Sequence, residues 1–493
     1  MPLVDRIPRW FPCALFALLA ALYLKELGSS SLWLDEAWEA NYYAGFVAAP
    51  WYNRPVLYMA LVTGLVRAFS ASEFVLRFAP CAAGLAAVAV TYRLARRMLP
   101  RFESLLAAGV LALSPPFLSF AHQLKNYTFD ALFAALLVLL WLRYREERST
   151  RRLATYALAA IASFGFSFSS VFVVAAIAAV EAASEGFVPR RLARFAGANS
   201  MIALLLAADF LAFHTGGAAD RLLHDYFIDA YLPWRTPTRV PQWLLREGKA
   251  ILVEQSGTTS AIASALVGLA GVVGGGAGRP MLAAFAGAAA LNVAASALAL
   301  YPFGVTRLSI YLGPFVAITL ALGIHRLRPA GRVPRGYALV FAAALWLLFA
   351  PGARLGAHDL WSGWRREEIR DLVARLGREA RPGDALYVNE DAIPAFSFYW
   401  RRGGRSFPPD RLVIGARLRD DPERHAGEVA RLAREEHTVW TLLTHMPADE
   451  VATLLRLMES RYERGASQVI GDARLDQWAR GEERFGLRAI QRP

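Results

Sequence analysis

Pro55-Val-Leu-Tyr-Met-Ala-Leu-Val-Thr-Gly-Leu-Val-Arg-Ala-Phe69 decides how this chain is threaded. The stretch is apolar but about 15 residues long, short of the ~20 a helix needs to cross a bilayer. The next basic cluster settles its placement. Arg93, Arg96, Arg97 and Arg101 come after an apolar run at 77–95, and basic residues collect on the cytoplasmic side of membrane proteins. If 55–69 crossed, that cluster would lie outside. The segment is therefore expected in the interface as a juxtamembrane helix. This makes 28–76 one long external loop holding Trp33, Trp38, Trp51 and Tyr52, residue types that gather at membrane surfaces.

Over the whole chain, eleven spans are expected at roughly 10–27, 77–95, 103–121, 128–144, 154–169, 171–184, 196–213, 259–275, 281–299, 308–325 and 336–350. Further basic clusters come after the fourth span (Arg143, Arg145, Arg148, Arg151, Arg152), the sixth (Arg190, Arg191, Arg194) and the tenth (Arg326, Arg328, Arg332, Arg335). With eleven spans all these loops share the cytoplasm with the N-terminus. The second external loop is 214–258, and the C-terminus lies outside.

Composition agrees with a polytopic chain. Of 493 residues, 56% are hydrophobic and only 19% charged, too few charges to cover a soluble protein of this size. The formal charge of +13 would raise the question of nucleic acid in a soluble protein; here the arginines sit in short connections and set topology. Only three of the 54 basic residues are lysine, a bias that GC-rich bacterial codon usage produces. Cys13 and Cys81 lie in apolar runs, so neither a disulfide nor a metal-ligand spacing is expected. The first apolar run reads as a retained helix, since no small-residue cleavage site comes after it.

From about 352 the apolar runs stop. Residues 364–380 have helical spacing, with Ile369, Val373 and Leu376 on one face. Strands are expected at 385–388, 411–414, 438–443 and 467–470, with helices at 421–435 and 447–461 between them. That alternation predicts a small external α/β domain over 352–493, after a transmembrane domain at 1–351.

The residues with chemistry fall at the external corners. Asp35 and Glu36 come after the first span in Leu32-Trp-Leu-Asp35-Glu36-Ala-Trp38. A carboxylate in such a place can accept the proton of a hydroxyl as a bond forms; the plain alternative is the acidic first turn of an interfacial helix. His122-Gln-Leu-Lys125-Asn-Tyr127-Thr-Phe-Asp130 marks the next corner. Lys125 and Tyr127 can grip a phosphate, or be a snorkelling Lys and an interfacial Tyr; a lone His such as His122 is more often a structural hydrogen-bonder. Tyr301-Pro-Phe-Gly-Val-Thr-Arg307, with Tyr311 after it, supplies an Arg whose planar fork fits phosphate oxygens. Arg77 opens the second span, either as a ligand or paired with Glu73 at i,i+4, and Arg54 is a further cation. Two acids and several cations from distant segments thus meet one membrane face.

Together these segments resemble the GT-C superfamily of integral-membrane glycosyltransferases, in the bacterial branch related to protein O-mannosyltransferases and the lipid A aminoarabinose transferase. The likeness runs through Leu34-Asp35-Glu36, Arg54-Pro55-Val-Leu57-Tyr58, Ser72-Glu73-Phe-Val-Leu-Arg77, Leu124-Lys125-Asn-Tyr127-Thr-Phe-Asp130 and Tyr301-Pro-Phe-Gly-Val-Thr-Arg307. It covers most of the first 330 residues. The resemblance implies a polyprenyl-phosphate sugar donor, inversion at the anomeric carbon, and a glycolipid, polysaccharide or protein hydroxyl as acceptor at the periplasmic face of the bacterial inner membrane. It implies Asp35 as base or acceptor-orienting carboxylate with Glu36 positioning beside it. Lys125, Tyr127 and Arg307, with Arg77, would hold the donor phosphate. Arg54, Tyr58, His122, Asp130, Tyr301 and Tyr311 are further substrate-binding candidates. No metal or other cofactor is expected. Relatives often have His-Pro-Pro where this chain has Asn53-Arg54-Pro55.

A transporter or flippase of lipid-linked saccharides is the main alternative. Such proteins carry repeats and polar, broken helices at mid-bilayer, whereas these mid-span stretches are Ala, Leu and Val. A scaffold whose C-terminal domain recruits a partner is a third reading.

Overall fold

The apolar runs fold as helices. The structure is a computed structural model, and it describes residues 7–48, 54–186, 189–213, 224–273, 276–304, 307–328, 335–362, 367–405, 409–416, 422–432 and 438–479. Trp51, Tyr52 and Asn53 lie outside the described residues, as do 214–223 of the second expected external loop. In chain order the first ten helices are α1 (Phe11–Lys25), α2 (Leu34–Tyr43), α3 (Val56–Ala68), α4 (Glu73–Ala95), α5 (Arg101–Ala112), α6 (Pro115–Ala121), α7 (Tyr127–Glu147), α8 (Thr150–Phe164), α9 (Ser170–Ser184) and α10 (Pro189–Phe213). Then come α11 (Val240–Lys249), α12 (Ala261–Val273), α13 (Arg279–Ala297), α14 (Gly313–Leu327) and α15 (Arg335–Ser362).

The chain divides into two compact units. One comprises Met1–Leu27, Pro50–Leu65 and Arg77–Gly363; the other comprises Gly28–Ala49, Val66–Leu76 and Trp364–Pro493.

Among the described residues, five helices are long and apolar enough to cross a bilayer: Glu73–Ala95, Tyr127–Glu147, Arg279–Ala297, Ile310–Leu327 and Leu339–Ser362. Arg101–Ala112 and Pro115–Ala121, bent by 65° at Leu113 and Ser114, make a sixth if they form one broken span. The sequence led us to expect eleven. Length and polar turns account for the difference. Helices α1, α9 and α12 are apolar but hold 15, 15 and 13 residues, and arginines occupy the first turns of α8 and α10.

Ion pairs tie the Arg-rich connections together at one end of this unit. Arg97, after α4, pairs with Glu146 at the end of α7. Glu181 of α9 is fully buried, accepts from Trp141 Nε1 at 3.1 Å, and faces Arg145 and Arg148. Glu103, also fully buried, receives Arg328 at 2.8 Å and His325 at 3.3 Å. Buried carboxylates persist only with such partners. The opposite end gathers the 114–127 corner, Gly165 and the start of α3, since Tyr58 N–H donates to Gly165 O at 2.9 Å. Arg77 donates to Leu27 O, at the exit of α1, at 3.3 Å, and His122 meets Tyr23 O of the same helix. The chain therefore enters and leaves the 58–77 stretch at one end of the unit.

Helix α14 runs through the middle, buried on every face from Gly313 to Ile324, as a helix apolar all round must be. It touches α12 backbone to backbone. A Cβ at Gly271 would meet Thr319 O at 2.5 Å, and one at Gly323 would collide with Val267 O. Small residues let membrane helices approach in this way.

The second unit holds a five-stranded sheet: β1 (Ala385–Asn389), β2 (Leu412–Gly415), β3 (Val439–Leu443), β4 (Glu463–Ile470) and β5 (Ala473–Ala479), in the order β2-β1-β3-β5-β4. Strand β1 is parallel to both neighbours, with Leu386 opposite Leu412 and Trp440; β5 is antiparallel to β3 and β4. Strand β1 is buried throughout, as a central parallel strand is. Helices α16 (Ile369–Glu379), α17 (Ile393–Arg402), α18 (Pro422–Leu432) and α19 (Ala448–Glu459) complete the unit. Val429, Leu432, Leu454 and Met458 pack with Tyr387, Val439 and Trp478 on one face. The sequence pattern did not show α17 or β5, and it placed β4 only at 467–470.

Candidate functional site

In the second unit the turn carrying Asp35 is held residue by residue. Ser31 N–H and Oγ–H donate to Glu368 Oε2 at 3.4 and 3.2 Å, and Leu32 N–H donates to the Tyr399 hydroxyl at 2.7 Å. Leu34 N–H donates to Glu367 Oε2 at 3.1 Å. Arg370 reaches Ser29 O at 2.8 Å and Gly28 O at 3.3 Å, and also bonds Glu73 Oε1 at 3.0 Å. Arg402 takes the other Glu73 oxygen at 2.7 Å. These contacts run between segments more than 290 residues apart in sequence. The turn has no regular structure of its own, so its backbone groups need such partners.

Asp35 and Glu36 then divide. Both sit in the first turn of α2, where carboxylates favour the helix dipole. Glu36 is fully buried, and its Oε2 accepts Trp33 N–H at 3.4 Å in a capping arrangement. Asp35 stays half-buried. Sequence reasoning missed Glu367, Glu368, Arg370 and Tyr399. The only signal was the charge-dense Arg365-Arg-Glu-Glu-Ile-Arg370 after a long apolar run, which reads as the polar face of a helix.

In the helical unit, α7 positions the Lys125 corner. Asn126 precedes its first turn and donates from Nδ2 to Phe166 O at 3.2 Å. Tyr127 stands edge-on to Phe120 at 5.1 Å, and Lys125 is half-buried. One turn on, Asp130 is 3% exposed and faces the hydroxyls of Ser167 and Ser169. The phenols of Tyr301 and Tyr311 lie near it. Phe172 brackets those two rings, edge-on to Tyr301 at 5.3 Å and stacked with Tyr311 at 6.2 Å. Tyr311 is fully buried, and its hydroxyl accepts Asn292 Nδ2–H at 3.0 Å. Tyr58, 2% exposed, leans on Phe129 at 5.7 Å, and Phe129 stacks on Phe166 at 4.9 Å. Asp130, Tyr301 and Tyr311 thus lie near one another, while Tyr58 packs on Phe129, the residue before Asp130.

The remaining cations are placed individually. Arg307 lies over Phe227 at 4.8 Å and Tyr226 at 5.3 Å; stacking orients a guanidinium so that its edge can meet an anion. Gly304 N–H on Ser309 Oγ at 3.0 Å, and Gln255 Nε2 on Ser309 O at 2.8 Å, brace that loop. Arg77 is 3% exposed and bonded to Leu27 O, and Arg54 is half-buried ahead of α3. Both ring nitrogens of His122 lie 2.9 Å from carbonyls, those of Leu118 and Tyr23, which is the structural use of a His. None of the candidates lines the apolar cavity of about 540 Å³ among Phe11, Leu15, Phe102, Leu106 and Phe349.

Residues 53–213 match the family model described as dolichyl-phosphate-mannose-protein mannosyltransferase. By sequence, no curated protein matches the chain. Among solved structures, ArnT from Cupriavidus metallidurans bound to undecaprenyl phosphate matches with a TM-score of 0.51 at 13% identity, covering 95% of this chain and 98% of that one. At that identity the likeness is one of fold. Archaeal oligosaccharyltransferase AglB from Archaeoglobus fulgidus, in complex with an inhibitory peptide and a dolichol-phosphate, gives a TM-score of 0.49 at 12% identity, covering 96% of this chain and 74% of that one. The chain is a multi-pass integral membrane protein that is similar, over residues 53–213, to the dolichyl-phosphate-mannose-protein mannosyltransferase family and, in its fold, to ArnT.

Proposed function

We propose that this enzyme moves a sugar, with inversion, from a polyprenyl-phosphate donor to a hydroxyl of a glycolipid, polysaccharide or protein at the periplasmic face of a bacterial cytoplasmic membrane. The acceptor oxygen forms the new bond to the anomeric carbon as the bond from that carbon to the phosphate oxygen breaks. The bonding pair leaves with the polyprenyl phosphate, and Asp35 takes the acceptor's proton. Glu36 positions Asp35 by closing the first turn of α2. Lys125, Tyr127, Arg307 and Arg77 meet the phosphate and offset the charge that grows on it. A phosphate departs readily, so neither a metal nor a dedicated general acid has a step to perform. Tyr58, Asp130, Tyr301 and Tyr311 receive the sugar's hydroxyls. The Arg-rich end of the helical unit faces the cytoplasm.

The observation that carries this reading is the contrast at Asp35. Hydrogen bonds from distant segments fix its turn, and Asp35 itself is half-buried beside a buried, capping Glu36. The test uses the full chain in lipid nanodiscs, with polyprenyl-phosphate sugars as donors and an envelope extract from cells lacking the protein as acceptor pool. Release of polyprenyl phosphate is measured. Wild type is expected to release it, and Lys125→Met or Arg307→Met to lower turnover by about 10- to 1000-fold. Unchanged turnover in both variants would contradict the phosphate assignment.

A further inference from the structure

The parallel part of the sheet has a switch point. From β1 the chain passes through α17 to β2 on one side, then through α18 to β3 on the other. Ligands of open sheets bind outside the carboxyl ends of strands that part in this way. Here Asn389, the last residue of β1, spans the two ends: its Nδ2 donates to Thr444 O at 2.9 Å and its Oδ1 accepts Thr444 N–H at 3.1 Å. The clamp leads into His445, whose φ of +53° lies in the left-handed region. A residue with a Cβ stays there only when its surroundings impose it.

The ring so presented has Nδ1 2.9 Å from Glu367 Oε1. The other oxygen of Glu367 receives Leu34 N–H, the residue before Asp35. One carboxylate therefore ties the switch-point imidazole to the Asp35 turn. Asp391, just past β1, and Asp35 also act on the ring. The Glu367 hydrogen bond, aided by the charges of Glu367, Asp391 and Asp35 and opposed by burial, raises the imidazole above its ordinary range. Nε2 has no hydrogen-bond partner among the described residues, and the side chain is 48% exposed.

We propose that His445 binds the acceptor: with Nδ1–H on Glu367, its Nε2–H donates to an oxygen of the uncharged, hydroxyl-bearing end of the acceptor, beside Asp35. The inference rests on Asp35 being the carboxylate that handles the acceptor hydroxyl. The negative charges of Glu367, Asp391 and Asp35 acting on the ring disfavour an anionic ligand, so the donor phosphate belongs with the cations of the helical unit. Because Nε2 must carry a proton, binding is present below the raised pKa and is lost as pH rises through it.

The test is the nanodisc assay with the envelope extract titrated against a fixed donor, across pH, for wild type, His445→Asn, His445→Gln and Asp35→Asn. Asn accepts left-handed backbone, so His445→Asn spares the clamp, and unchanged binding of undecaprenyl phosphate by native mass spectrometry checks that each variant is folded. His445→Asn and His445→Gln are expected to raise the half-saturating extract by about tenfold or more. They should leave donor half-saturation unchanged and abolish the fall of wild-type turnover toward alkaline pH. If both His445 variants keep wild-type extract dependence and pH profile while Asp35→Asn is inactive, His445 does not bind the acceptor and the role of Asp35 stands. Full turnover by Asp35→Asn would overturn both.

Discussion

Glu36 is buried and bonded to the Trp33 amide, while Asp35 beside it is half-buried. Adjacent carboxylates on one helical turn point about 100° apart, so one can close the turn while the other meets substrate. Glu36→Gln keeps an oxygen for the Trp33 N–H and is expected to retain activity. Glu36→Ala loses it and should destabilise the protein by about 0.5–2 kcal/mol, read as a lower midpoint in thermal unfolding of the detergent-solubilised chain. The sequence put both acids at this corner, but their division of labour was not legible. It depends on which rotamer is buried, and that is set by segments far along the chain. His122 shows the same limit: a lone His in a polar corner is ambiguous until its two carbonyl partners are seen.

The segment that holds the Asp35 turn is among those the sequence pattern read least well. Apolar period and basic flanks announced the helices, and alternating strand and helix signals announced β1, β2 and β3. Strand β5 was missed because Arg474, Asp476 and Gln477 interrupt its apolar residues; Arg474 in fact bonds the buried Asp476 at 2.6 and 2.9 Å. The Glu367-Glu368-Arg370 segment read as a solvated helix start, because nothing local shows that its polar atoms cap a turn over 300 residues away. The start of α4 is anchored in the same way. Glu73 is 4% exposed and holds both Arg370 and Arg402. Glu73→Ala would leave two guanidiniums without their shared anion. Both are about a third exposed, so a loss of about 1–3 kcal/mol is expected. Thermal unfolding checks this; an unchanged midpoint would show that Glu73 does not hold the segment.

At the scale of the molecule, the ion pairs Arg97–Glu146, Arg148–Glu181 and Arg328–Glu103 collect the basic loops at one end of the helical unit. Tyr58, Lys125, Tyr127 and Asp130 lie toward the other, at the opposite end of α7 from Glu146. The proposed orientation predicts the outcome of labelling in intact cells. In a chain with Cys13 and Cys81 replaced, a membrane-impermeant maleimide should reach Trp234→Cys, a residue 57% exposed, and not Glu147→Cys until the membrane is opened. The reverse pattern would place the site in the cytoplasm. Whether Asp35 performs glycosyl transfer is decided by mass spectrometry of envelope glycolipids, glycans and glycoproteins. Cells lacking the protein are compared after rescue with wild type or with Asp35→Asn expressed to the same level. One species is expected to lack a single sugar in the deletion and in the Asp35→Asn rescue, and to regain it with wild type. Full restoration of that sugar by Asp35→Asn would remove Asp35 from the chemistry.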